Sequence, residues 1–167
     1  MRNSIVALSA MTSVALSTPL LASCDLNDVN AALHQWAQRA PEHYTYSFFE
    51  FEGESPANDV NAQIPQRARV EVDKGRVMGI WYEAENSHPN RAGQPVPRAV
   101  WTFLWSIPPT LQNKVRSKVK VASQNSDETV DCEFDPATGF LIKLHVAYKS
   151  APESSHTIEI KNFKAVP

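Results

Sequence analysis

The chain is short of cysteine, of glycine and of charge of either sign in excess. Two cysteines in 167 residues, Cys24 and Cys132, cannot build a disulfide framework or a structural zinc site. Five glycines against twelve prolines indicate stiff connections, and no G-x-x-x-x-G-K loop is present to cradle a phosphate. Sixteen basic and eighteen acidic residues leave a net charge of −2, which excludes a nucleic-acid binder driven by bulk charge. No G-x-S-x-G elbow, H-E-x-x-H pair or C-x-x-C pair occurs. What is present is enough apolar residue, 43% by the broad count, to build one core, so one domain is expected.

Residues 1–23 carry one basic residue, Arg2, no acid, and a mildly apolar run from Ile5 to Ala22 broken by serines and threonines. That pattern predicts a secretory signal peptide and suits a membrane-spanning helix poorly. Leu21-Ala22-Ser23-Cys24 places an aliphatic residue, two small residues and a cysteine at the end of the run. The tetrapeptide resembles the lipobox of bacterial lipoproteins, which implies lipidation at Cys24 and a mature domain over residues 24–167 facing the periplasm. Ordinary cleavage near Ala22 would instead leave Cys24 free to pair with Cys132 in a soluble periplasmic protein.

The mature chain opens on a helical pattern over Asn27–Ala40, with Val29, Leu33, Trp36, Ala37 and Ala40 on one stripe, a cap at Asp25 or Asn27, and Pro41 at its end. Strands are predicted at His43–Glu52, Arg67–Asp73 and Val77–Glu83, the last two joined through Asp73-Lys74-Gly75. In the third strand Met78, Ile80 and Tyr82 share a face. A polar, proline-rich loop over 84–97 leads to a second helix, Pro97–Ile107, with Val100, Phe103, Leu104 and Ile107 as its stripe and Pro108-Pro109 as its stop. Val115, Val119 and Val121 alternate with Arg116, Lys118 and Lys120 as a fourth strand. Val130, Cys132 and Phe134 form the inward side of a fifth, Phe140 to Tyr148 a sixth, and His156–Phe163 a seventh. The order is αβββ-αββββ. It predicts an α+β fold in which two helices pack on one face of a mainly antiparallel sheet of about seven strands.

The landmarks run Trp36, Pro41, Tyr44-Thr45-Tyr46, then Val70-Glu71-Val72-Asp73-Lys74-Gly75-Arg76-Val77, Trp101-Thr102-Phe103, Phe134-Asp135-Pro136-Ala137-Thr138-Gly139-Phe140 and Ile158-Glu159-Ile160-Lys161-Asn162-Phe163. In that order they resemble a family of small secreted bacterial proteins and lipoproteins classed as a domain of unknown function. The resemblance spans nearly the whole mature chain and implies an envelope location and this fold; it supplies no activity. Two family features are absent. A cysteine pair often follows the Tyr-x-Tyr strand, where this chain has Ser47-Phe48-Phe49-Glu50, and an acidic cluster often fills the final hairpin, where it has Ala151-Pro152-Glu153-Ser154-Ser155-His156.

Candidate chemistry is sparse. The five histidines, at 34, 43, 88, 145 and 156, fall on different elements, so no metal and no cofactor are expected. Glu153 and His156 supply two ligand types in one turn, which reads as a solvated turn. Cys132 faces inward between two acids, a setting that disfavours a reactive thiolate and reads as a packed core cysteine. The basic row Lys114, Arg116, Lys118, Lys120 looks like a stripe for anionic lipid, but as a strand it would be matched across the ladder by Asp131, Glu133 and Asp135. Strand one has aromatics on both faces, Tyr44, Tyr46 and Phe48 against Phe49 and Phe51, so either the 53–66 loop or an apolar partner covers the second face. His88 and Arg91 in the long loop, with Trp101 and Trp105 on the second helix, are the expected ligand or partner surface. Together these features predict a non-enzymatic binding or structural module of the bacterial envelope, held to the membrane by a lipid anchor, with an unknown envelope protein as partner. The alternative is a periplasmic carrier of a lipid or other apolar ligand in a groove between the sheet and the second helix.

Overall fold

Alternation of apolar residues sets one face of a six-stranded antiparallel sheet in this computed structural model, which describes residues 24–52, 67–83, 89–104, 106–108 and 110–167. The strands are β1 (His43–Glu52), β2 (Arg67–Asp73), β3 (Arg76–Tyr82), β4 (Glu128–Phe134), β5 (Leu141–Tyr148) and β6 (His156–Ala165), in the order β3-β2-β1-β6-β5-β4. Two three-stranded meanders therefore meet along β1 and β6, where Phe48 faces Ile160 and Glu50 faces Ile158. Tyr44, Tyr46 and Phe48, with their partners Val72, Val70 and Ala68 on β2, are all buried.

Helix α1 (Leu26–Arg39) starts where Asp25 accepts hydrogen bonds from the amides of Asn27 and Asp28, at 2.7 and 2.8 Å. It buries Val29, Ala32 and Trp36, and the Trp36 ring packs 4.6 Å from Phe140 and 5.3 Å from Tyr44. Helix α2 (Thr110–Ala122) buries Leu111, Val115 and Val119.

Helix α2 corrects the sequence reading, which placed a strand here. Val115 and Val119 are four residues apart, a spacing that satisfies both the strand and the helix period. Leu111, one turn earlier, and Val121, which is 42% exposed, are the residues that decide for the helix. The sheet consequently has six strands and not about seven, and the basic row has no ladder opposite it: β4 pairs with β5 alone among the strands. The second helix expected at Pro97–Ile107 is a six-residue 3₁₀ turn, Arg98–Phe103. Its approach is tied to the edge of β3 by hydrogen bonds between Val96 N–H and Ile80 O and between Tyr82 N–H and Gln94 O. A helix follows Pro108 instead of ending there, beginning at Thr110.

Two inward placements also change. A bulge sets Val72 against Val77 but Glu71 against Gly79, so Met78 points outward at 54% exposure while Ile80 and Tyr82 stay buried. Phe103, assigned to the buried stripe, is 63% exposed, whereas Val100, Leu104 and Ile107 are buried. Phe134 packs against the core but only half-buried, beyond a bulge at Glu133/Phe134. Phe134→Ala should accordingly cost about 1–2 kcal/mol in a denaturant titration, less than the roughly 3–5 kcal/mol of a fully buried phenylalanine. A loss in the higher range would show that the ring is fully enclosed.

Candidate functional site

The first cluster with polar chemistry lies inside the fold. Glu50 follows Tyr44, Tyr46 and Phe48 in the same alternation, so its carboxylate enters the covered face. A buried carboxylate needs donors, and the segment before α2 supplies them. Ser106 donates its amide N–H to Glu50 Oε2 at 3.2 Å and its hydroxyl to the same oxygen. His156 Nε2 lies 3.3 Å from Glu50 Oε1, and the Tyr46 hydroxyl donates to Ser106 O at 2.7 Å. Burial pushes the Tyr46 phenol well above its ordinary range, so it remains a donor.

Serine, histidine and glutamate side by side resemble hydrolytic machinery, but the order is wrong for it. A serine nucleophile needs a base on its hydroxyl and a path for substrate. Here the hydroxyl goes to the carboxylate that also faces the histidine, and Ser106 is fully enclosed. The cluster pins the residues before α2 onto β1 and β6. The phase of Glu50 with Tyr44, Tyr46 and Phe48 was the available sequence signal for it. His156 thus lies beside Glu50, while Glu153 is exposed in a 3₁₀ turn.

A second buried carboxylate, Glu128, meets Lys118 Nζ at 3.2 Å, and Lys118 also donates to the Tyr148 hydroxyl at 2.8 Å. Desolvation lowers the Lys118 ammonium pKa, but the bonds to Tyr148 and Glu128 outweigh it and the net shift is upward. The pair fastens α2 to β4. No group of three or more His, Cys, Asp or Glu able to hold a metal occurs among the described residues.

Of the residues singled out in sequence, His88 and Trp105 lie outside the described residues, as do 1–23 and the 53–66 loop. Trp101 donates its indole N–H to Val96 O at 3.0 Å, with the Arg98 guanidinium 5.4 Å from its ring. Arg91 donates to the Tyr82 hydroxyl at 3.2 Å. Arg91 thus ties residues 89–104 to β3, while Trp101 braces that segment internally. Beneath the helices, the space left among Leu33, Trp36, Leu111, Phe134 and Phe140 is about 10 Å³, at or below what one water needs.

Cys24 and Cys132 are joined in a disulfide, with Cα atoms 5.5 Å apart, and Cys24 N–H bonds to Val130 O at 3.0 Å. Cys132 is therefore a bonded cysteine and not a free core thiol. Its sulfur partner is the one a lipid anchor would occupy, and a sulfur in a disulfide cannot also form a thioether.

The face of the sheet opposite the helices is built differently. Arg67 lies 4.3 Å over the Phe49 ring, Arg69 lies 5.0 Å over Trp81, and Phe49 packs 4.9 Å from Phe51. Glu159 takes Lys143 at 3.4 Å and Lys161 at 3.3 Å; desolvation alone would raise its carboxyl, but the two lysines hold it below the ordinary range. Ser47 donates to Glu83 at 2.5 Å. Ser47, Phe49, Arg67, Glu83, Glu159 and Lys161 line a cleft of about 110 Å³, bordered by Asn162, whose positive φ of 55° marks the bulge opposite Thr45/Ser47.

No helix among the described residues is long and apolar enough to cross a membrane. The family resemblance rests on its residues alone, since no family model, curated protein or solved structure matches this chain.

Proposed function

We propose that this chain is an exported, non-enzymatic binding module of the bacterial envelope that meets its partner on the face of the sheet opposite the helices. The observation that carries the reading is the contrast between the two faces. The space among Leu33, Trp36, Leu111, Phe134 and Phe140 beneath the helices is about 10 Å³, whereas the opposite face holds a cleft of about 110 Å³ lined by the Arg67–Phe49 pair, with Arg69 and Trp81 paired on the same face. Paired cationic and aromatic groups at a partly exposed surface suit a polar partner with aromatic or carboxylate groups. The enclosed Ser106, spent on Glu50, supports the non-enzymatic part. Export is proposed from residues 1–23, and the pairing of Cys24 with Cys132 favours the soluble periplasmic form over the lipid-anchored one.

Site-specific photo-crosslinking in growing cells tests it. A photoreactive phenylalanine analogue at Phe49 or Trp81 should give a discrete adduct that Arg67→Glu abolishes, while the same analogue at Ala31, exposed on α1, gives none. Adducts from Ala31 alone, or none at any position, would overturn the sheet-face assignment.

A further inference from the structure

We propose that the outer side of α2 is a docking surface for anionic phospholipid headgroups. The helix, TLQNKVRSKVKVA, holds four cations and no acid in 13 residues. Both of its i,i+4 charged pairs, Lys114 with Lys118 and Arg116 with Lys120, are like-charged, an arrangement that weakens a helix by itself. Lys118 turns inward to Glu128, but Arg116 and Lys120 are exposed, and Val121 beside them is 42% exposed. An amphipathic helix with cations and an apolar side chain on its wet side fits the headgroup region of an acidic leaflet. The row is helical, so the cross-strand acids expected opposite it are not its ladder partners: Asp131 and Glu133 stand opposite His145 and Lys143 in the β4–β5 register.

The inference rests on export, which the leader motivates, but not on the sheet-face partner.

The test is flotation of the purified protein, processed as the cell leaves it, with vesicles of phosphatidylcholine alone or with about 30 mol% phosphatidylglycerol added to make the surface anionic. Binding should appear only on the anionic vesicles and fall with added salt. Arg116→Gln/Lys120→Gln, which preserves helix propensity, should lower partitioning roughly thirtyfold, at about 1 kcal/mol per cation and 1.4 kcal/mol per tenfold. Lys143→Gln/Lys161→Gln removes the same charge from the sheet face and should leave partitioning nearly unchanged. Equal losses in the two variants, no loss in the α2 variant while its circular dichroism and melting temperature match the parent, or equally tight binding to a DNA duplex, would each overturn it. An intact photo-adduct at Phe49 alongside failed flotation would remove the lipid surface and leave the sheet-face reading standing.

Discussion

Gly139→Ala is expected to lower the stability of the domain by about 3–5 kcal/mol, read from the shift of a denaturant midpoint. Gly139 has φ +76°, and a Cβ there would stand 2.2 Å from the carbonyl oxygen of Ala32 and 2.9 Å from the amide of Trp36. Those atoms are helix backbone and cannot turn aside. The strain of the left-handed conformation accounts for about 1–2 kcal/mol, and the overpacking between hairpin and helix for the remainder. Gly75→Ala separates the two effects. Its φ is +74°, but nothing lies within 4 Å of the new methyl, so only the conformational strain should appear. Equal losses at the two positions would show that α1 yields to the methyl and that the hairpin is not closely docked. The contact has further ties: Gln35 donates to Pro136 O at 2.7 Å and Arg39 to Ala137 O at 2.9 Å. Within the turn, Asp135 accepts from the amides of Thr138 and Ala137, bonds that hold its carboxyl below the usual range.

Cys132→Ala is expected to cost about 2–4 kcal/mol through loss of a bond that closes a long stretch of chain, with Cys24 and Cys132 108 residues apart in sequence. Reduction should destabilise the parent to a similar degree and leave the variant unmoved. The parent protein should show an intact mass lower by two hydrogens than the dithiol, with no thiol open to alkylation before reduction. A lipid-modified Cys24 with a freely alkylated Cys132 would reverse this result and restore the lipid-anchored form, because the sulfur of Cys24 carries one such bond at a time. The measurement thus decides both a stability term and a location.

Local pattern alone determined much of this molecule. β1 and β2 fall where alternation of Tyr44, Tyr46 and Phe48 and of Ala68, Val70 and Val72 places them, and α1 begins at the Asp25 cap. The α+β class and the two successive meanders follow from those periods and from the turns at Gly75 and Gly139. Such features are set by neighbours within a few residues, whose periodicity of burial is written along the chain.

Where two periods coincide, or a bulge slips the phase, only the assembled fold decides. Val115 and Val119 fit strand and helix equally, and it took the packing of Leu111, Val115 and Val119 as one buried stripe to make α2 a helix and expose Arg116 and Lys120. Met78 left the core because β3 gains a residue against β2. The meeting of Glu50 with Ser106 and His156, and of Cys24 with Cys132, brings together groups 56 and 108 residues apart for the Glu50–Ser106 and Cys24–Cys132 pairs. No local pattern encodes such distances. They arise when β6 inserts beside β1 and the helices close over one face, since a buried charge or sulfur takes whatever partner that closure presents.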